Sequence, residues 1–201
     1  MKHRYFIINK PPGMVSQFVS SVPVRLLGDL DFEFPEGTHA IGRLDSDSEG
    51  LLILTTNKEV TQLLFCGGKP HTRTYLVRVK GRMTANTLKR LQTGVPIRIS
   101  GDDYYIAKPA HVEIVERPAT LPDRPGELPI DAPQTWLLIT LTEGKYHQVR
   151  KMVGALKHRC QRLIRVSIEN LALEGLQPGE VRELNEHVFF QQLNILYPTK
   201  N

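Results

Sequence analysis

Ala40–Thr56 reads AIGRLDSDSEGLLILTT. Leu51–Leu54 is an unbroken apolar run bounded by turn signals, the pattern of a short strand buried on both faces. Gly42 and Gly50 bracket the polar stretch before it, and glycine opens backbone conformations that other residues resist. Arg43, Asp45, Asp47 and Glu49 are therefore expected on a loop anchored by a core strand, an arrangement in which scaffolds commonly place chemistry.

The acidic spacing first suggests a calcium loop. Asp45, Asp47, Glu49 and Gly50 occupy positions one, three, five and six of the EF-hand pattern, with Glu in place of the usual Asp or Asn at five. The pattern requires a bidentate Glu at position twelve, and that position is Thr56. An amphipathic helix should follow such a loop, whereas an apolar strand follows this one. The calcium reading fails. An aspartate beside an arginine also suits a nucleophile or an acid–base group, because the guanidinium keeps the carboxylate ionised. A glycosidase pairing Asp45 with Asp47 or Glu49 stays open at this point, although it calls for an acidic cleft.

The 201 residues suffice for one sizeable domain or two small lobes, and 40% hydrophobic content implies a packed core rather than disorder. A net charge of +5 and a pI near 9.3 are compatible with a polyanionic partner if the charge is clustered. Cys66 and Cys160 lie far apart without a Cys-x-x-Cys motif, which indicates neither zinc nor a disulfide framework and fits a reduced cytosol. No stretch reads as a signal peptide or a membrane span. Walker, dinucleotide-binding and His-Glu-x-x-His motifs are all missing, so the expected chemistry uses no cofactor and no metal.

Along the chain, Tyr5–Asn9 reads as a strand stopped by Lys10-Pro11-Pro12-Gly13. Residues 14–39 are irregular, and Lys58–Phe65 is a short helix. Arg73–Lys80 alternates, with Tyr75, Val77 and Val79 on one face. Thr84 caps a helix running to Gln92. Tyr104–Glu116 reads as a strand, and Arg117–Gln134, with five prolines, reads as a long surface loop or the connection between two lobes. Trp136–Thr142 and Leu163–Leu173 read as strands, and Asn185 caps a closing helix. Interleaved irregularly, these elements make an α+β fold with a mixed, largely antiparallel sheet.

EGKYHQVRKMVGAL at 143–156 is the second informative segment. A helix from about His147 places Val149, Met152, Val153 and Leu156 on one face. His147, Arg150, Lys151, Gly154 and His158 fall on the other. Between Lys145 and Arg165 the chain carries Lys145, Arg150, Lys151, Lys157, Arg159, Arg162 and Arg165 but no Asp or Glu. That clustering favours a polyanionic partner.

Five blocks occur in order: Asn9-Lys10-Pro11-Pro12-Gly13, Gly42-Arg43-Leu44-Asp45, Gly50–Thr56, Arg73-Thr74-Tyr75-Leu76-Val77, and Glu143-Gly144-Lys145-Tyr146-His147-Gln148-Val149-Arg150-Lys151-Met152. Together they resemble the signature blocks of RNA pseudouridine synthases, in the RsuA-like branch that acts on ribosomal RNA. The resemblance implies that family's fold, a central RNA-binding cleft, isomerisation of a uridine with no cofactor, and 23S ribosomal RNA as the expected partner of a cytoplasmic monomer. Asp45 matches the essential aspartate, acting as nucleophile or base; Arg150 matches the arginine that pairs with it. Tyr75 matches the tyrosine that stacks on the target base. Arg43 matches the residue that fills the space of the flipped nucleotide. Lys145, His147 and Lys151 are expected on phosphates, with Arg73, Lys10 and Arg165 as further RNA contacts. Most relatives in the branch carry an S4-like domain ahead of the catalytic part. This chain begins almost at the first catalytic strand, so one catalytic domain over 1–201 is expected. The alternative that stays open is a ribosome-associated RNA-binding protein without catalysis.

Overall fold

The apolar run at Leu51–Leu54 is the middle of a longer strand. In the computed structural model, which describes residues 2–66, 68–124, 126–127, 129 and 132–196, β3 spans Glu49–Thr55 and is buried along its whole length. It pairs antiparallel with β1 (Tyr5–Lys10), equally buried, and with the short β2 (His39–Ile41). Successive side chains of a strand point to opposite faces, so two strands buried on both sides build two cores. Tyr5, Ile7, Leu51 and Ile53 join one, with Val60 and Leu64 of α1 (Glu59–Phe65) and Phe189 and Phe190 of α4 (Glu186–Gln192). Phe6, Ile8, Leu52 and Leu54 join the other, with Met14, Leu27, Leu30 and Leu44. The irregular stretch after β1 is thus a packed layer in its own right.

The chain divides into two units, residues 1–73 with 164–201, and residues 74–163. In the first, the strand order is β11 (Val181–Leu184), β1, β3, β9 (Cys160–Ile168), and β10 (Leu171–Ala172) pairs with β9. The β9 strand contributes its first residues to the second unit and Ile164–Ile168 to the first. Its pairing with β3 is parallel, Gly50 opposite Arg165, whereas β11 with β1, β1 with β3, β2 with β3 and β10 with β9 pair antiparallel. Here glycine is required. Gly50 has φ +104°, and a Cβ there would meet Arg165 N at 2.7 Å and Arg165 C at 3.0 Å, with the carbonyl oxygen closer still. Arg165 then donates Nε–H to Leu51 O at 2.8 Å, locking the crossing.

The second unit orders the start of β9 beside β4 (Arg73–Lys80), β8 (Gln134–Leu141) and β7 (His111–Val115), with a separate hairpin of β5 (Val95–Ser100) and β6 (Asp103–Ala107). Tyr75, Val77, Leu137 and Ile139 pack there against Val149, Met152 and Val153 of α3 (Gln148–Ala155) and Leu91 of α2 (Ala85–Thr93). Thr84 caps α2 by accepting Thr87 N–H, and Asn185 caps α4 by accepting His187 N–H. The single strand expected over 104–116 is two, β6 and β7. Pro109 between them has no N–H to donate, and proline breaks a ladder there.

The proline-rich stretch at 117–134 lies inside the second unit, not at the boundary between units; its residues 125, 128, 130 and 131 are outside the described ones. It carries an ion cluster. Glu127 accepts from Arg78 at 2.7 Å and from Arg162 at 3.2 Å, and both arginine side chains are buried. Burial opposes ionisation of Glu127, but the Arg124 N–H, Arg162 and Arg78 outweigh it and hold the carboxyl below its ordinary value.

Two outcomes follow for stability. Gly50→Ala should cost at least about 3 kcal/mol, combining a left-handed backbone with a clash on backbone that cannot yield; an unchanged urea midpoint by circular dichroism would contradict this. Glu127→Ala should cost roughly 3–5 kcal/mol at pH 7, because it leaves two buried guanidinium groups uncompensated. A carboxyl with a depressed folded pKa stabilises above its unfolded pKa, near 4.5, and stops doing so as pH falls through the folded value. The variant should therefore lose less stability than wild type on acidification below that point, read from Trp136 fluorescence in β8.

Candidate active site

Asp45 is held by its neighbours. On one side, Leu44 buries its side chain in the Phe6–Ile8 core, and Ser16 Oγ both accepts Leu44 N–H and donates to Leu44 O, each at 3.0 Å. On the other side, Ser46 O accepts Gly13 N–H at 2.7 Å and Lys10 Nζ at 3.3 Å. Ser48 N–H closes the turn onto Asp45 O at 3.0 Å. The backbone before and after Asp45 is therefore tied to the segment that follows β1. The carboxylate itself sits partly exposed, between an exposed Arg43 and an exposed Asp47.

This arrangement corrects the expectation for Lys10. Its side chain is fully buried, and its ammonium donates to the carbonyls of Pro11 (2.9 Å), Met14 (2.7 Å) and Ser46. These bonds tie the turn together, and in this fold the buried ammonium faces backbone carbonyls rather than solvent. Arg73 and Arg165 are likewise buried. Arg73 lies over the Phe65 ring at 5.1 Å and donates to His71 O, and Arg165 secures the β3–β9 crossing. Glu49, expected on the loop, is the buried first residue of β3. Ser16 was not singled out in the sequence, where a lone serine in an irregular stretch carries no signal.

Tyr75 and Arg150 belong to the second unit. Tyr75 is 9% exposed, packed in the core that also holds Val149 and Met152. Arg150 is partly exposed on α3, as are Lys151 and, ahead of the helix, Lys145 and His147. The helix starts at Gln148 rather than His147, because His147 is left-handed at φ +53°. Val149, Met152, Val153 and Leu156 are buried, as their spacing requires. Among the described residues no group of three His, Cys, Asp or Glu is placed to hold a metal ion, and no helix is long and apolar enough to cross a membrane.

The Lys10 arrangement is testable by hydrogen exchange. Lys10→Met keeps the volume and removes the donors, leaving buried carbonyls unsatisfied at a cost of about 1–3 kcal/mol each. The Gly13 and Ser48 amides should exchange faster, while those of β1 and β3 keep their protection until global unfolding. Unchanged exchange at both would show that Lys10 does not hold the loop.

Comparison with known proteins identifies the family. Residues 4–155 match the family model described as RNA pseudouridylate synthase. The chain is 34% identical over 185 residues to the ribosomal large subunit pseudouridine synthase E of Vibrio vulnificus, spanning 92% of this chain and 76% of that one. It is 36% identical over 180 residues to the synthase of the same name in Xanthomonas campestris, spanning 88% and 92%. A solved pseudouridylate synthase superposes with a TM-score of 0.72 at 28% identity, over 96% of this chain and 74% of that one. With a family match over most of its length and a shared fold, this chain belongs to the RNA pseudouridylate synthases, isomerases that convert uridine to pseudouridine in RNA.

Proposed function

We propose that the chain isomerises a specific uridine of 23S ribosomal RNA, with Asp45 as the reacting carboxylate. The observation that carries the reading is the double tether of the Asp45 backbone, through Leu44 to Ser16 and through Ser46 to Gly13 and Lys10. A group that must meet one carbon of a flipped nucleoside needs its position set before substrate arrives. The large-subunit target is supported by the names of the Vibrio and Xanthomonas relatives.

The reaction is an isomerisation, so no atom is gained or lost. The N1–C1′ bond breaks, the uracil turns, C5 bonds to C1′, and the C5 hydrogen leaves as N1 takes up a proton. Asp45 serves as the nucleophile or as the base of a glycal route. The motif correspondence gives Arg150 the task of keeping Asp45 ionised, since an arginine partner favours the charged carboxylate. It gives Tyr75 the stacking contact with the target base, and a mostly buried ring suits a base that has been taken out of its helix. Arg43, exposed two residues before Asp45, would fill the gap the base leaves. Unstacking costs a few kcal/mol, which phosphate contacts from Lys145, His147 and Lys151 help to offset.

Tritium release from uracil-5-tritiated 23S transcripts tests this directly. Wild type should release tritium and Asp45→Asn should not, a loss of at least about 10³-fold for removal of a nucleophile. Release by the variant at the wild-type rate would remove Asp45 from the chemistry. RNA bound by wild type without any release would leave a binding protein.

A further inference from the structure

The turn ahead of α3 is fixed by its own side chains. Gln148, buried at the helix start, accepts Lys145 N–H at 2.8 Å and donates to Glu143 Oε1 at 2.8 Å. Tyr105 of β6 donates its hydroxyl to the other oxygen of Glu143, also at 2.8 Å. This closure leaves His147 in the left-handed region, which is uncommon for a residue with a Cβ. It also turns Tyr146 outward, 73% exposed.

The exposed ring is nevertheless held flat. It lies parallel to the His147 imidazole, centroids 3.9 Å apart and planes 18° from each other. Lys151 Nζ stands 5.4 Å from the Tyr146 centroid and is itself anchored on Arg98 O at 2.7 Å. Lys145 Nζ sits 4.1 Å from the Tyr105 ring centroid. The acidic groups of this corner are engaged, Glu143 by Gln148 and Tyr105, and Asp102 by Arg98 at 3.7 Å.

An open aromatic face backed by a second ring and bordered by ammonium groups matches what an unpaired nucleotide presents: a π-face and a phosphate. Tyr75, at 9% exposure, is not open in this way. We infer that Tyr146, supported by His147, stacks on an unpaired nucleotide of the RNA other than the reacting uridine, with Lys145 and Lys151 on adjacent phosphates. The inference rests on the RNA reading above and adds a second base site to it. Base faces inside a duplex are covered by their neighbours, so the site distinguishes single-stranded from paired RNA without reading sequence.

The test is fluorescence anisotropy with a labelled single-stranded oligouridylate and an RNA duplex of equal length, across a salt series. Wild type should prefer the single strand. Tyr146→Ala should bind it about tenfold more weakly with an unchanged salt slope, while Tyr146→Phe stays within about twofold of wild type. Lys151→Gln should lower the slope by about 0.7. Tyr104→Ala is the control, a ring 65% exposed on the same unit with no stacked ring or overlying cation among the described residues, and should bind like wild type. Tyr146→Ala binding within about twofold of wild type, or Tyr104→Ala losing as much, would overturn the inference and leave the exposed ring to a protein contact. Tritium release is read separately. A tenfold loss in Tyr146→Ala beside a wild type that releases no tritium supports stacking while sinking the 23S isomerase reading. Normal release without single-strand preference does the reverse.

Discussion

The parallel crossing of β3 and β9 at Gly50 and Arg165 is the constraint on which the first unit depends. Only a residue without a Cβ lets the two backbones approach so closely. The approach brings the Arg165 guanidinium onto Leu51 O. Strand β3 in turn carries two cores, one on each face, and the loop of Asp45 hangs from its beginning. A carboxylate placed five residues before such a crossing has a rigid base on one side. The Lys10–Ser16 segment supplies the other. The Asp45 backbone is thereby fixed from both sides by hydrogen bonds of Leu44 and Ser46.

Among the described residues, five of the 26 lysines and arginines of this protein are buried and structural. Lys10, Arg73, Arg78, Arg162 and Arg165 are all buried, among carbonyls, an aromatic ring and Glu127. Burying a cation is costly unless its donors are met, and the carbonyls and carboxylate drawn to Lys10, Arg78 and Arg162 meet part of that cost. The basic run from Lys145 to Arg165 is correspondingly less of a surface than its composition suggests, because Arg162 and Arg165 point inward. The cations left for a polyanion in this segment are Lys145, Arg150 and Lys151, before and along α3 beside the exposed Tyr146, and Lys157 and Arg159 just after it.

The corner at Glu143–Gln148 shows how a short motif can serve both fold and function. Gln148 satisfies the turn, and the left-handed His147 is the conformational consequence. The result is a ring and two ammonium groups displayed from a rigid support. The β5–β6 hairpin contributes Tyr105 and Arg98 O to that support, so a small separate sheet has a role in positioning the motif.

Periodicity alone determined a strand at Tyr5–Asn9, a buried strand at Leu51–Leu54, the strand Arg73–Lys80, the caps Thr84 and Asn185, and the buried face of α3, because burial of a repeating apolar pattern is a local property. The ordered blocks determined the family, since five motifs in sequence leave little room for coincidence. Tertiary structure alone decided that Ser16 bridges Leu44, that Lys10 faces inward, that Glu49 is strand and that the proline-rich stretch closes an ion cluster inside one unit. Those outcomes turn on which carbonyls and carboxylates, distant in the chain, arrive beside each cation. A lysine has the same composition whether its ammonium meets water, a phosphate or three backbone oxygens; only the folded chain supplies the acceptors that choose.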